Sequence, residues 1–504
     1  MCYYNGFKFP APQSDEISFK DLAPDIELMS KIFSGCGDFE KRKINIGLED
    51  NIYISICWID GIVSGGDVGD NVIRPLSLSQ KAANATDEKS CIEFIMEGSV
   101  YSCSVKKRDK ATDVISDLTH GHCALIFECE KCALTFEVRS DKTRGISEPT
   151  LEKSIKGAKD SFIETLRVNT ALVRRRICTP RLKLAQSNIG RKSHTTVAIM
   201  FVEGIANPEL VAETARRLDS LDIDALLATG SLEEYIVDNP LSPFPQLIHT
   251  ERPDRFAMYL MDGRVGILID GLPVGLVLPV NFAEFMKVTS DSNMHFMITT
   301  SLNFLRYLAL ILSLFLPALY VAVAMYHQEM IPTRLLISII EAKQDVPFST
   351  ALEVLCMIVA FALLQEAGLR LPNPIGDTVS IIGALIVGQS AVEARVVSPI
   401  AIIVVAVSGI CCYTLPSQDM GSAVRLFQLG LLIAAIAGGL FGLTIGACLI
   451  ILLLASMDSF GVNYTAPLSD GKPFGLIRLL INLPKPKNKF RDPLLKTPDK
   501  RRQK

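Results

Sequence analysis

The chain has 504 residues, 49% of them hydrophobic, and its 51 Lys and Arg against 54 Asp and Glu leave a formal net charge of -3. That length accommodates two or three structural units, and the near-neutral balance gives no electrostatic footprint for a nucleic-acid partner. Its 13 cysteines are scattered instead of crowding a small secreted domain, so they read as thiols in a reducing compartment.

The opening residues, Met1-Cys-Tyr-Tyr-Asn-Gly-Phe-Lys-Phe-Pro10, lack the basic start, apolar core and small-residue cleavage site of a secretory signal. The amino terminus is therefore expected to stay in the cytosol, with 1–45 as an N-terminal tail. Two stretches that follow resemble each other. Ile52-Tyr-Ile-Ser-Ile-Cys-Trp-Ile-Asp-Gly-Ile62 shares its pattern with Val197-Ala-Ile-Met-Phe-Val-Glu-Gly-Ile205, and Gly121 to Glu128 with Cys132-Ala-Leu134 shares its pattern with Gly263 to Asp270 with Val274-Gly-Leu276. The two matches have nearly the same offset, which chance similarity does not produce. Each copy predicts a strand, a Gly turn, an amphipathic helix and a β-hairpin, with hairpin turns near Glu128 to Lys131 and Asp270 to Pro273.

These copies define an α/β soluble region of two similar subdomains, 46–145 and 191–295. In the second, Asn207 caps a helix, Pro208 takes its first position, and Leu210, Val211, Ala215 and Leu218 recur at helical spacing. The corresponding helix of the first is weaker, at Val68 to Leu78. Between them, 146–190 is expected to be connecting helices, with one running from Glu148 to Arg176, broken at Gly157 and ending in a solvated Arg174-Arg-Arg176.

His120-Gly-His-Cys123 and Cys129-Glu-Lys-Cys132 offer zinc-type ligands, but the later hairpin has no such set, so no metal or other cofactor is expected. There is no phosphate loop, nucleophile elbow or paired-histidine motif, and His194, His249 and His295 are isolated. An enzyme is not expected.

From Leu302 to Met457 charge-free runs alternate with short, Pro-containing connections, so 296–460 reads as an all-α polytopic membrane domain. The expected crossings are Asn303 to Tyr326, Ala351 to Ala367, Val396 to Leu415 and Leu426 to Ser456. Ile331 to Glu341 is short and amphipathic, suited to the interface. Thr378 to Ala394 is the exceptional segment, re-entrant or surrounded by protein. Lys485, Lys487, Lys489, Arg491, Lys496, Lys500, Arg501, Arg502 and Lys504 make 461–504 a basic cytosolic tail. With both termini inside, the crossings number four, or alternatively six.

Polar groups are costly at membrane depth, and Gln389, Ser390, Glu393 and Arg395 stand in an otherwise apolar segment. At helical spacing Val379, Ile382, Ile386, Gln389 and Glu393 share one stripe, apolar at one end and polar at the other. Around a symmetry axis that stripe would line an apolar gate beside a polar vestibule. Gly383 and Gly388 allow close helix approach, and Glu366, Arg370, Pro372 and Arg395 are candidates for gating or packing. The competing structural reading pairs Gln389 and Glu393 with Arg395 or Arg370 inside one subunit.

Several motifs carry a resemblance to a known family. They include Ile146-Ser-Glu-Pro149, Phe162-Ile-Glu164 with Asn169, Phe244-Pro-Gln246, Arg252-Pro-Asp254, Leu316-Pro-Ala-Leu-Tyr320, Glu366-Ala-Gly-Leu-Arg-Leu-Pro372, Gly383-Ala-Leu-Ile-Val-Gly-Gln389 and Ser459-Phe-Gly461. From about Ile46 to Pro467 the chain resembles the A subunit of the GerA-type spore germination receptors, or the stage V sporulation paralogue of that family. The resemblance implies a multi-pass protein of the spore inner membrane that joins a B subunit and a C-subunit lipoprotein. It also implies self-association around a ligand-gated ion channel that triggers germination, with lipid and ions as further partners. Arg395 and Asn463 depart from the family pattern, which holds a small residue and Pro there. A secondary transporter and a non-conducting scaffold are the alternatives; transporters duplicate their membrane halves, whereas the repeat here lies in the soluble part.

Overall fold

The computed structural model describes residues 7, 22–45, 53–78, 88–99, 104–138, 149, 152, 157–370, 388–470, 479–482 and 484–503. They form two compact units, one built from Met1–Asp238, Leu247–Val280 and Pro486–Lys504, the other from Asn239–Gln246 and Asn281–Lys485.

The first unit contains the repeat. Strands β1 (Phe39–Asn45), β2 (Tyr53–Ile59), β3 (Val105–Arg108), β4 (His122–Phe127) and β5 (Cys132–Glu137) form an antiparallel sheet in the order β1-β2-β4-β5-β3. Strands β6 (Leu182–Ile189), β7 (Thr195–Val202), β8 (Ile248–Thr250), β9 (Val265–Ile269) and β10 (Gly275–Leu278) form a second in the equivalent order β6-β7-β9-β10-β8. The two expected hairpins are β4-β5 and β9-β10. Strands apolar on both faces need cover on both faces. In the first sheet Ile54, Ile56 and Trp58 meet Val68, Val72, Leu76 and Ile95 from the helical residues 65–78 and 88–99. Cys57, Ile59 and Ala124 meet Met29 and Ile32 of α1 (Ile26–Ile32) and Val114 and Leu118 of α2 (Ala111–Thr119). Both edge strands are rich in Lys and Arg, which discourages further pairing.

The expected connecting helix is shorter than its apolar spacing suggested. Helix α3 begins only at Leu166 and runs to Arg176. Residues 157–165 are not helical: Phe162 N–H donates to Glu251 O at 2.7 Å, and Asn169 holds Ile163 by both backbone groups. Asp270 Oδ1 accepts from Leu166 N–H at 3.0 Å, satisfying a donor at the helix start. Of the terminal arginines only Arg175 is exposed as a solvated helix end would be. Arg174 is 2% exposed and bidentate on Asp38, and Arg176 donates from Nη2 to both carboxylate oxygens of Asp160 at 2.6 and 2.7 Å. The burial follows from α3 lying against the first copy's core, where Ala171 joins the α1 cluster.

In the second copy α4 (Pro208–Asp219) starts as expected, with Asn207 Oδ1 accepting from Glu209 N–H at 3.1 Å. Helix α5 (Pro253–Asp262) lays Phe256 over the sheet, and only glycine fits beneath it: a Cβ on Gly266 would stand 2.1 Å from the ring. The basic tail returns to this copy. Arg491 donates to Met261 O, Asp499 O and Arg501 O, Arg502 pairs with Asp262 at 2.9 Å, and Leu495 and Thr497 are buried.

The second unit is helical, with α6 (Phe296–Tyr326), α7 (Thr333–Lys343), α8 (Thr350–Arg370), α9 (Pro399–Tyr413) and α10 (Gln418–Ser456). Phe296–Tyr326, Thr350–Gly368 and Gln418–Ser456 are long and apolar enough to cross a membrane. The expectation of one unbroken traverse over Leu426 to Ser456 is corrected. Gly439 has φ 60° and ψ -138°, and there the chain turns back on itself. In a continuous helix residues 434 and 442 would lie about 12 Å apart at ~1.5 Å per residue. Instead a Cβ on Gly442 would stand 2.0 Å from Ala434 O, and one on Gly446 would stand 2.7 Å from Leu431 Cδ2. Two antiparallel arms result, the first about 30 Å long because it starts at Gln418, the second about 25 Å.

Candidate functional site

The glycines of the α10 turn set its closeness. Gly439, Gly442 and Gly446 line the inner side of the second arm, and without side chains there the two backbones meet. Tyr326, the last residue of α6, packs its ring on Gly439 and donates from its hydroxyl to Ile436 O at 2.6 Å. Farther along, Gln428 of the first arm donates to Ser408 of α9 at 3.1 Å with both side chains buried, so a polar pair in an apolar bundle is satisfied internally.

Two family-like motifs far apart in sequence meet at the other end of this unit. Ser459 Oγ donates to Gln246 O at 3.2 Å, and the Tyr464 hydroxyl, fully buried, donates to Pro245 O at 2.9 Å. Gln246 itself is bonded through its amide to Asn239 N–H and O, and Phe244 stacks on Phe427 of the first arm at 4.7 Å. The loop Asn239–Gln246 is thereby clamped to the first arm and to the segment that follows the second. At the start of α6, Arg306 pairs with Asp291 at 2.6 and 2.9 Å and donates to Met286 O, anchoring that helix to the segment before it. None of these contacts was visible as spacing, because each joins residues that are local on neither helix nor strand.

Of the stripe, Val379, Ile382 and Ile386 lie outside the described residues, as do Pro372 and Gly383. Residues 388–393 are helical, and Gln389 and Glu393 are exposed on one face, Gln389 Nε2 donating to Glu393 Oε1 at 3.0 Å. In the competing reading these two pair with Arg395 or Arg370; Arg395 has a left-handed backbone at φ 55°, and its guanidinium meets Asp345 at 2.6 Å. A Cβ on Gly388 would meet nothing within 4 Å among the described residues. Glu366 is exposed on α8, and Arg370 ends that helix with its side chain outside the described residues.

The zinc-type residues are separated by the sheet. His122 and Cys123 are neighbours on β4 and point to opposite faces, and the ring of His122 bonds Asp117 O at 3.1 Å. Among the described residues no group of three or more His, Cys, Asp or Glu is placed to hold a metal.

A duplicated α/β region followed in the chain by long apolar helices defines a membrane-associated protein with a soluble half. Residues 27–494 match the family described as Bacillus/Clostridium GerA spore germination protein, and the chain belongs to that family. The match extends beyond the Ile46 to Pro467 read from motifs, since α1, β1 and the returning tail are packed parts of the first unit. Among its relatives, the chain is 35% identical to the uncharacterized membrane protein YfkQ of Bacillus subtilis, over 90% of this chain and 87% of that one. It is also 35% identical to spore germination protein KA of Bacillus subtilis, over 92% of this chain and 84% of that one. The N-terminal domain of the A subunit of the Bacillus megaterium germinant receptor GerK3 aligns with 52% of this chain and 96% of that one, with a TM-score of 0.42 and 32% identity.

Proposed function

We propose that this chain is the membrane-embedded A subunit of a spore nutrient-germinant receptor, and that copies of it surround an ion path whose opening triggers germination. Family membership over residues 27–494 is the observation that carries this reading. In it the stripe Val379, Ile382, Ile386, Gln389 and Glu393 lines the path, and Gly388, open among the described residues, takes a neighbouring protomer. A B subunit and a C-subunit lipoprotein are the companions.

Two observations support a topology for this reading. Residues Pro486–Lys504 share a compact unit with Met1–Asp238, so a chain that leaves that unit to cross a bilayer returns to the side it left, which favours an even number of crossings. The reversal at Gly439 divides the last apolar run, which favours six: α6, α8, 378–394, α9 and the two arms of α10. The short ones are accommodated by local thinning of the bilayer. The basic tail favours the cytosol for both termini, with the spore inner membrane as the location. The mass of the detergent-solubilised chain, alone and with its companion subunits, tests self-association: a multiple of the 55.2 kDa protomer is expected, and a strict monomer in both samples contradicts an axial path.

A further inference from the structure

Glu353 is 1% exposed on α8, inside the apolar cluster formed by Val321, Val354, Val397 and Val405. A buried carboxylate in such surroundings needs compensation for each of its oxygens. Oε2 has it: Ser398, the N-cap of α9, donates to it from its hydroxyl at 2.8 Å and from its backbone N–H at 3.3 Å. Oε1 makes no hydrogen bond, and the buried hydroxyl of Tyr320 lies beside Ser398 and Glu353. The charge opposite Oε1 is the Lys343 ammonium, 3.6 Å away and hydrogen-bonded to the Thr350 hydroxyl. An ammonium has three donors to place, and here the contact to the carboxylate is too long to be a hydrogen bond.

Lys343 is the last residue of α7, a short helix with Leu335, Ile337 and Ile340 exposed. Its side chain also lines a cavity of about 430 Å³, together with Thr350, Ser349, Gln344 and Gln328 and the apolar Ile339. A route therefore leads to the point where the ammonium stands. From the underfilled carboxylate, the Tyr320 hydroxyl beside it and the adjoining cavity we infer that Glu353, Thr350 and Tyr320 form a site for an ammonium-sized monovalent cation. In this conformation the chain's own Lys343 occupies it as a tethered stand-in, and movement of α7 exchanges Lys343 for a free cation. Two sources share this chemistry, an inorganic ion and the ammonium head of a small amine. The inference does not rest on the pore reading.

The test uses the purified full chain in lipid nanodiscs, titrated with potassium, ammonium or methylammonium chloride, with N-methylglucamine chloride as the ionic-strength control. Lys343→Met is expected to melt several degrees higher as at least one small cation saturates the site, and Lys343→Met with Glu353→Gln is expected to show no such rise. A response to potassium assigns an inorganic ion; a response to methylammonium without potassium assigns an amine. If Lys343→Met melts independently of all three salts, the inference is overturned and the pair is only structural. Should Lys343→Met not fold, the wild-type chain decides. Acetylation of Lys343, read by mass spectrometry, is expected to accelerate at least about threefold with the effective cation while exposed Lys192 does not change, and equal rates overturn the inference.

Discussion

Removing Asp38 isolates the effect of one buried charge. Asp38 and Arg174 are 6% and 2% exposed at their side chains, and the carboxylate takes both Nε and Nη2 of the guanidinium. Asp38→Ala leaves that guanidinium buried with no carboxylate, a loss of about 3–5 kcal/mol. For a unit of this size about 2–4 °C accompanies each kcal/mol, so the melting temperature of the full chain's soluble unit is expected to fall by roughly 6–20 °C. Asp38→Ala with Arg174→Met removes both charges and is expected to recover at least half of that fall, because an apolar pair of similar volume carries no desolvation cost. Differential scanning in detergent, with hydrogen exchange of α1 and α3 to locate the change, reads the result. A single variant melting within about 1 °C of the parent, or a double variant no better than the single, would refute a buried and coupled pair.

Gly442→Ala places a methyl carbon where Ala434 O now stands 2.0 Å away, so the arms of α10 must part; a loss of about 1–3 kcal/mol and weaker disulfide trapping between Cys-substituted arms are expected. Tyr464→Phe removes the hydrogen bond from that hydroxyl and leaves Pro245 O without this donor, costing about 1–3 kcal/mol, and protease cleavage within Asn239–Gln246 is expected to quicken. Glu213 is held down to about 2 by the hydrogen bond from Arg216, against the opposing effect of burial and with help from Arg217. Its folded value lies below its ordinary 4.5, so its contribution is present above that pH and is lost as pH falls toward 2; Glu213→Gln is expected to flatten the melting curve across that window.

The repeated strands were readable because each is an apolar run followed by an acidic residue and glycine, and because burial on both faces leaves no polar alternation to disguise it. The edge strand β1 was not, since Phe39-Glu-Lys-Arg-Lys-Ile-Asn45 carries the charge of an exposed edge and has no core signature. The helix ahead of Leu166 was overestimated for a related reason. Phe162 and Ile163 are apolar at helical spacing, but their backbone is bonded to Glu251 and Asn169, which no local pattern reveals. In the membrane half, the length of the last run argued for one traverse when measured from Leu426; the Gly-Gly-x-x-Gly-x-x-x-Gly spacing from Gly438 to Gly446 was the available signal for a turn. In sequence Glu353 is no more than a charge in the first turn of a helix, and its partners Ser398 and Lys343 come from other helices.

Ion efflux from vesicles holding the full chain with its companion subunits tests the central claim most directly. Germinant-dependent release of monovalent cations is expected, with the rate or ion preference altered in Glu393→Ala and Gln389→Ala at unchanged assembly and closure loosened by a smaller residue at Ile386. Release no greater than from empty vesicles, or flux and gating identical in all three variants, would contradict an ion path lined by that segment.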